Sequence, residues 1–254
     1  MTITPARRTR ARPRLDVTLV ERGLAPSRER ARALVLARDV RVDGEVATRP
    51  AQPVTADAAI EVREPPPYVS RGGEKLAHAL DRTGIDVRGL RCLDVGASTG
   101  GFTDCLLQRG AREVVAVDVG YGQLAQQLRD DPRVEVRERT NARTLEALDP
   151  LADVAVVDVS FISLTLVLPA VLDSLRAGAD VLALVKPQFE AERADVQRGG
   201  VVHDAEVHAR VVGRVALWAI ERGVRVRGVV RSPLRGPAGN REFFVWLRAP
   251  EGSS

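Results

Sequence analysis

CLDVGASTGGFTDCLL, residues 92–107, is the stretch that decides the predicted fold. It begins as an apolar strand, turns at glycines and continues as the first turns of a helix. The glycines are Gly96, Gly100 and Gly101. Their spacing differs from the G-x-G-x-x-G fingerprint, in which the backbone approaches a pyrophosphate at the start of a helix. The looser turn favours a cofactor with no phosphate at this point.

An acidic residue follows this turn at a distance typical of nucleotide-type cofactor sites. Asp118 ends the next predicted strand, 22 residues after Gly96, and a carboxylate there can accept hydrogen bonds from ribose hydroxyls. S-Adenosylmethionine carries such a ribose and a zwitterionic amino-acid end, which backbone groups and Ser98 or Thr99 could bind. NAD is the competing cofactor. The predicted S-adenosylmethionine site consists of Gly96, Ser98, Thr99, Gly100, Gly101, Phe102, Asp118 and, beside the adenine, Asn141.

Strands and helices alternate from residue 91 onwards, which is typical of a doubly wound α/β sheet. The predicted strands are RCLDVG, EVVAVDVG, VEVRER, DVAVVDVSF and DVLALVKP. The predicted helices start near Gly101, Gln123, Thr144, Leu164 and Asp204. The segments VRVRGVVRSPL and EFFVWLRAP follow as two more strands. The loop between them is too short for a crossover helix, so the last strand should be antiparallel. A mostly parallel sheet with one late antiparallel strand is the outline of a Rossmann-like methyltransferase.

Charged side chains stand at the ends of several predicted strands, where open α/β sheets bind their ligands. Asp158 closes DVAVVD, Lys186 closes DVLALVK, Glu242 opens the last strand, and Lys75 lies on the helix before the first strand. The chain has 38 lysines and arginines in total, and Lys75 and Lys186 are its only lysines. Arginine is always protonated and cannot act as a base, whereas lysine can lose its proton when burial or a neighbouring cation lowers its pKa.

Residues 14–63 form a second, smaller predicted unit. Leucines repeat at helical spacing from Leu15, Ser27 is a predicted N-cap of a second helix, and Asp43-Gly44 is a strong hairpin turn. Two short helices and a hairpin, with arginines at a helix start, resemble the S4 RNA-binding domain. The alternative is a small α+β domain with a solvated charged face. The predicted RNA-binding residues are Arg14, Ser27, Arg28, Arg30, Arg32 and, beyond this unit, Arg71.

The predicted organisation is a flexible basic arm at 1–13, the S4-like unit at 14–63, a proline-rich linker at 64–70 and a catalytic unit at 71–250. The net charge of +4 and the pI of about 9.6 agree with a nucleic-acid partner. We predict a cytoplasmic protein with no membrane partner, because no apolar stretch could span a bilayer and no apolar signal segment opens the chain. The two cysteines and three histidines lack metal-ligand spacing, so we predict no metal.

The combined motifs resemble TlyA-type proteins, in which an S4 domain is joined to an FtsJ-like ribose 2′-O-methyltransferase domain. The motifs are SRGGEKL, LDVGASTGGFTD, AVDVGYGQL, ERTNAR, DVSFISL, LVKPQFE, GGVVHD and SPLRGPAGNREFF. This resemblance implies S-adenosylmethionine-dependent methylation of cytidine 2′-hydroxyls in 16S or 23S ribosomal RNA, or both, within ribosomal subunits. It also implies a Lys-Asp-Lys-Glu tetrad at Lys75, Asp158, Lys186 and Glu242. Some relatives bear the name haemolysin.

Each member of this tetrad has a hypothetical role. Lys186 is the base or the proton relay at the ribose 2′-hydroxyl, and Asp158 orients the lysines and balances their charge. Lys75 lowers the pKa of Lys186 and helps to hold the substrate, while Glu242 anchors Lys75 or the ribose. The alternative is two ordinary salt bridges at a strand edge.

Other interpretations stay open at this point. A non-enzymatic RNA-binding or ribosome-assembly factor would keep the same domains, and a membrane-active haemolysin is a further alternative. Phe161 and Phe189 follow the catalytic strand ends, and they either stack on a base or simply cover the sheet. Residues 190–203 are either a lid that orders on RNA or only a mobile connection.

Overall fold

The computed structural model describes residues 12–63 and 66–251. Its residues group into two compact units, Met1–Pro65 and Pro66–Ser254. The predicted basic arm, residues 1–13, lies outside the described residues except for its last two. Tyr68 and Val69, which we predicted as part of the linker, pack against the core of the second unit.

The N-terminal unit consists of two helices and a three-stranded antiparallel sheet. Its elements are α1 (Leu15–Glu21), α2 (Arg28–Leu36), β1 (Val40–Val42), β2 (Glu45–Val46) and β3 (Ile60–Val62). The strand order is β2-β1-β3. Asp43 and Gly44 form the hairpin turn with φ of 51° and 84°, as the Asp-Gly pair predicts. Ser27 is the N-cap of α2, since its side chain accepts a hydrogen bond from Arg30 N.

The C-terminal unit alternates strands with helices. Its elements are α3 (Arg71–Thr83), β4 (Arg91–Val95), α4 (Gly101–Gln108), β5 (Glu113–Val117), α5 (Gln126–Arg129), β6 (Val134–Arg137), β7 (Ala152–Val157), α6 (Leu164–Asp173), β8 (Leu175–Val185), α7 (Pro187–Glu190), α8 (Ala205–Ile220), β9 (Arg225–Arg231) and β10 (Phe243–Arg248). Helices α3 and α4 cover one face of the sheet, and α6 and α8 cover the other.

The seven strands of this unit form one sheet in the order β6-β5-β4-β7-β8-β10-β9. The neighbours from β6 to β8 pair in parallel, whereas β10 pairs antiparallel with both β8 and β9. The predicted α/β class and the antiparallel last strand are therefore confirmed. The strands near the centre are mostly apolar because helices cover both faces, with Asp94 of β4 as a buried exception.

One predicted helix is wrong and another is short. The helix predicted near Thr144 is a single 3₁₀ turn, Ala142–Thr144. The chain then stays irregular as far as β7, although Leu145 and Leu148 are buried in the core. Two leucines three residues apart imitate a helical stripe, while the seven residues from Thr144 to Pro150 leave little length for a helix before the proline ends it. The helix predicted near Gln123 shrinks to the single turn α5.

Glycines allow α3 and α4 to approach closely. A Cβ added to Gly101 would lie 2.2 Å from Ser70 Oγ and 2.9 Å from Gly73 N, and one added to Gly73 would lie 2.2 Å from the Tyr68 ring. Such distances are shorter than any van der Waals contact. The paired glycines of SRGGEKL therefore let α3 pack against the start of α4, and this packing positions Lys75.

This packing predicts a specific loss of stability on adding one methyl group. Gly101→Ala should lower the free energy of unfolding by about 1–3 kcal/mol, the usual effect of overpacking a tight interface. Gly213→Ala is the matched control, because Gly213 lies within α8 and an added Cβ there would have no described atom from outside its own helix within 4 Å. That change should stabilise the protein by up to about 1 kcal/mol. Urea unfolding of both variants checks the pair, and equal effects would contradict the interpretation.

Candidate active site

The antiparallel pairing of β10 brings the ends of three strands to one edge of the sheet. Phe243 pairs with Val185, so Glu242, before Phe243, lies beside Lys186, after Val185. Asp158 follows β7, which is the parallel neighbour of β8. The carboxyl ends of parallel strands and the start of an antiparallel strand meet at the same edge.

The four residues of the expected tetrad form two ion pairs. Lys75 Nζ donates a hydrogen bond to Glu242 Oε2 at 2.6 Å, across α3 and the start of β10. Lys186 Nζ lies 2.6 Å from Asp158 Oδ1. Both pairs line the same cavity. The structure therefore places the four side chains together, as two neighbouring lysine–carboxylate pairs.

The two pairs differ in burial. Lys75 and Glu242 are both buried, whereas Lys186 and Asp158 are partly open to the cavity. Lys186 Nζ donates a hydrogen bond to Ser160 Oγ at 2.9 Å. Asp158 Oδ1 has no aligned hydrogen-bond donor among the described residues, so its contact with Lys186 is an ion pair only. A buried ion pair fixes geometry, while the more open pair can reach a substrate.

Glu190 holds the segment between Ser160 and α6 in place. Its Oε2 accepts a hydrogen bond from Ser163 Oγ and its Oε1 accepts one from Leu164 N, each at 2.7 Å. Burial raises the pKa of this carboxyl. Because Glu190 ends the short helix after Lys186, these bonds connect the segments that follow β7 and β8. Glu190 is the last residue of the LVKPQFE motif, but the sequence alone predicted no role for it.

The cavity has a volume of about 660 Å³. Besides the tetrad, its lining includes Ser70, Arg71, Gly96, Ser98, Thr99, Gly101, Phe102, Ser160, Phe161, Gln188, Phe189, Gly200, Pro237 and Asn240. Phe161 is 90% exposed and its φ is 63°, an unusual conformation for a bulky residue. Its ring centroid lies 4.8 Å from that of Phe189. Because its ring is so exposed, Phe161 does not cover the sheet. It lies at the wall of the cavity instead.

The glycine turn forms one wall of this cavity. Gly96 has a φ of 90°, and a Cβ there would lie 2.4 Å from the Asp158 carbonyl oxygen. Only glycine lets the end of β4 approach the end of β7 so closely. Gly100 instead faces inward, where a Cβ would lie 2.2 Å from Leu128 Cδ1. Most of the predicted cofactor residues therefore line one side of the cavity, with Gly100 behind them.

The two remaining predicted cofactor residues, Asp118 and Asn141, lie further along the same edge, after β5 and β6. Asp118 accepts hydrogen bonds from Ser98 N and Gly120 N, each at 2.7 Å. This carboxylate holds the glycine turn, and each oxygen has a further lone pair for a ribose hydroxyl. Asn141 Oδ1 accepts a hydrogen bond from Arg143 N. Their contacts with a cofactor stay predictions.

Asn240 fastens the 190–203 loop beside the cavity. Its Oδ1 accepts a hydrogen bond from Val202 N and its Nδ2 donates one to Gly200 O, each at 2.8 Å. Asn240 is 1% exposed, so the oxygen and the nitrogen of its amide both form hydrogen bonds away from solvent. In this structure the end of the loop is pinned. Sequence reasoning missed this residue because its partners lie about 40 positions away.

A buried carboxyl, Asp94, lies in β4 below the glycine turn. Its Oδ2 accepts a hydrogen bond from Thr103 Oγ1 at 2.6 Å, and its Oδ1 has no hydrogen-bond partner within the described residues. Burial is the main cause that raises its pKa to about 7, with the charge of Asp158 as a smaller cause. Sequence reasoning treated this aspartate as part of a strand and nothing more.

The N-terminal unit carries its own group of predicted site residues. Arg14 and Arg28 both bind the carboxylate of Asp16. Arg30 and Arg32 are exposed on α2. The structure therefore brings two of the predicted RNA-binding arginines together.

Comparison with known proteins places both units in families. Residues 68–249 match the FtsJ-like methyltransferase model, and residues 13–60 match the S4 domain model. The chain is 54% identical over 241 residues to a Mycobacterium tuberculosis protein named 16S/23S rRNA (cytidine-2′-O)-methyltransferase TlyA, covering 93% of this chain and 90% of that one.

The chain belongs to the TlyA family of FtsJ-like methyltransferases.

Solved structures agree with this membership. A Streptococcus thermophilus protein named as a hemolysin is 41% identical and has a TM-score of 0.71, covering 95% of this chain and 90% of that one. An S-adenosylmethionine-dependent methyltransferase from Mesorhizobium loti is 17% identical with a TM-score of 0.53, covering 67% and 96%, and shows the fold alone. The expected TlyA-type resemblance is confirmed.

Within residues 12–63 and 66–251, no group of histidine, cysteine and acidic side chains is arranged to hold a metal ion. In that same part of the TlyA-family chain, no helix combines the length and the apolar character needed to cross a membrane.

The buried Asp94 predicts an unusual dependence of stability on pH. Its pKa is raised in the folded state to about 7 from an ordinary value of 3.8, so the unfolded state loses the proton first. Its contribution to the free energy of unfolding therefore falls as pH rises from about 4 to about 7 and stays low above that window. Asn at this position does not titrate.

Asp94→Asn should therefore gain stability relative to the wild type between pH 4 and pH 8. Urea unfolding of both proteins at several pH values gives the difference. A difference that is constant across this range would show that the carboxyl is not held neutral in the folded protein.

Proposed function

We propose that this chain transfers a methyl group from S-adenosylmethionine to the 2′-hydroxyl of cytidine in ribosomal RNA. The observation that carries the proposal is the pair of lysine–carboxylate ion pairs at one cavity, beside a glycine turn of the methyltransferase type. The name of the Mycobacterium tuberculosis relative supports the substrate, because that protein covers nearly the whole chain. A ribosomal RNA substrate also implies a cytoplasmic protein.

The glycine wall of the cavity suits this cofactor. Gly96 and Gly101 present backbone rather than side chains at the lining, and Ser98 and Thr99 add polar groups there. Asp118 stands at the next strand end, where its free lone pairs can bind ribose hydroxyls. When bound, S-adenosylmethionine supplies an electrophilic methyl group on sulfur.

Lys186 is the residue that we assign to proton removal. A ribose hydroxyl must lose its proton as it attacks carbon. Lys186 Nζ can accept that proton once the ammonium group of the ion pair has released its own proton to solvent. Asp158 and Ser160 hold that nitrogen from two sides, which leaves its remaining direction for the substrate. After the reaction Asp158 stabilises the resulting ammonium group.

The buried pair of Lys75 and Glu242 has a positioning role in this proposal. Glu242 anchors Lys75 at the cavity wall through the 2.6 Å hydrogen bond. The Lys75 ammonium, less than 10% exposed, then presents a fixed positive charge to the ribose. Arg71 on the same wall is placed to contact the RNA backbone.

The decisive experiment is transfer of labelled methyl groups to separated, unmodified 30S and 50S subunits, followed by mapping of 2′-O-methyl positions. Titration with S-adenosylmethionine runs in parallel. Cofactor binding without methyl transfer to either subunit would favour the non-enzymatic alternative.

Lys186→Arg tests the role of the titrating amine. The variant keeps the positive charge and should keep its affinity for S-adenosylmethionine. Its methyl transfer should fall by about 10²–10⁴-fold, because a guanidinium cannot take the proton. Arg222→Lys, the reverse change at an exposed position after α8, should transfer methyl groups at the wild-type rate. Wild-type activity of Lys186→Arg would show that the residue does not titrate in the reaction.

A further inference from the structure

An acidic residue lies at the centre of the basic N-terminal unit. Asp16, the second residue of α1, is 0% exposed. Arg14 grips it with two hydrogen bonds, from Nε to Oδ1 at 3.0 Å and from Nη2 to Oδ2 at 2.9 Å. Arg28 Nη2 adds a third, to Oδ2 at 3.2 Å. These bonds, those of Arg14 first, lower the pKa of Asp16 to about 2.

Backbone contacts fix the positions of both arginines independently of their side-chain bonds. Val54 N binds Pro13 O and Leu15 N binds Gln52 O, each at 2.9 Å, on either side of Arg14. Arg28 is the first residue of α2, directly after the Ser27 cap. Asp16 therefore joins Arg14, the N-cap residue of α1, to Arg28, the first residue of α2.

Among the described residues, these bonds leave most of the N–H donors of Arg14 and Arg28 unused. A guanidinium has five N–H donors; Arg14 spends two of them on Asp16 and Arg28 spends one. The side chains of Arg14 and Arg28 are 50% and 61% exposed. Two guanidinium groups and one carboxylate give a cluster of net charge +1 that faces the solvent with unused donors.

Stabilising the buried Asp16 carboxylate explains the presence of Arg14, but it does not require Arg28 as well. The bidentate bond to Arg14 already compensates the buried charge of Asp16. Adding Arg28 brings a second cation close to the first and leaves the cluster with one positive charge in excess, which a bound anion would balance. A phosphate group matches such a pair, because its oxygens accept several N–H bonds from guanidinium groups.

We propose that Asp16 is a positioning residue for RNA binding, which holds Arg14 and Arg28 side by side as a clamp for one backbone phosphate. The proposal rests on the RNA-binding part of the proposed function. It makes an acidic side chain necessary for binding a polyanion. Without Asp16 the two cations repel each other and move apart.

The test is the affinity of the full chain for an unmodified 23S ribosomal RNA transcript, measured at several salt concentrations without S-adenosylmethionine. Asp16→Asn makes the net charge more positive by one, yet it should weaken binding about tenfold. The slope of log K against log salt should also become shallower by about 1, the loss expected for one phosphate contact.

Glu21→Gln is the matched control. Glu21 ends the same helix and is exposed, so this variant makes the same change in net charge without touching the clamp. It should bind RNA as tightly as the wild type or more tightly. In a background with Arg14→Gln and Arg28→Gln, Asp16→Asn should cause no further loss, because it acts through those arginines.

The proposal is overturned if Asp16→Asn binds RNA like Glu21→Gln, or if it weakens binding equally in the background that lacks both arginines. Should Asp16→Asn unfold the N-terminal unit, Asp16→Glu replaces it. That variant keeps the charge but displaces the carboxylate by one methylene, and the same weakening is expected. Failure of methyl transfer would contradict the proposed function, whereas the RNA-binding comparison of the Asp16 variants could still be interpreted, because it is measured without S-adenosylmethionine.

Discussion

The antiparallel pairing of β10 with β8 is the constraint on which the active site depends. In a wholly parallel sheet only carboxyl ends of strands meet at the ligand edge, and the start of a strand lies at the opposite side. Inserting β10 in reverse brings Glu242 to that edge beside Lys186. The buried bond from Glu242 to Lys75 then ties the sheet to α3. Breaking a buried ion pair on one side typically costs about 3–5 kcal/mol, so this tie also supports the fold.

Much of this arrangement could be predicted from sequence, because the strand ends are marked by local patterns. Apolar runs that close in Asp158 and Lys186 identify the sheet edge, and a short loop before Glu242 identifies the reversed strand. The irregular segment after Thr144 could not be predicted in the same way. Its leucines have helical spacing, but they are buried by packing against the core rather than by belonging to a helix.

The contacts that organise the site were beyond the reach of local patterns. Asn240 pins a loop about 40 residues away, and Glu190 binds the start of α6 from the far side of β8. Asp16 had no role in the prediction, because an aspartate in an arginine-rich segment looks like a solvated charge. For Asn240 and Glu190 the partner depends on how distant segments pack, which neither spacing nor composition encodes.

The scarcity of lysine has a practical consequence. Both side-chain amines of the chain lie at the cavity of the candidate active site, and both are largely buried, with Lys75 9% and Lys186 12% exposed. Isotope-labelled methyl groups introduced on these amines by reductive alkylation would give resonances from the active site without overlap from elsewhere in the chain's side chains. The two ion pairs thereby double as built-in spectroscopic reporters, free of the background that lysine-rich surfaces produce in most proteins.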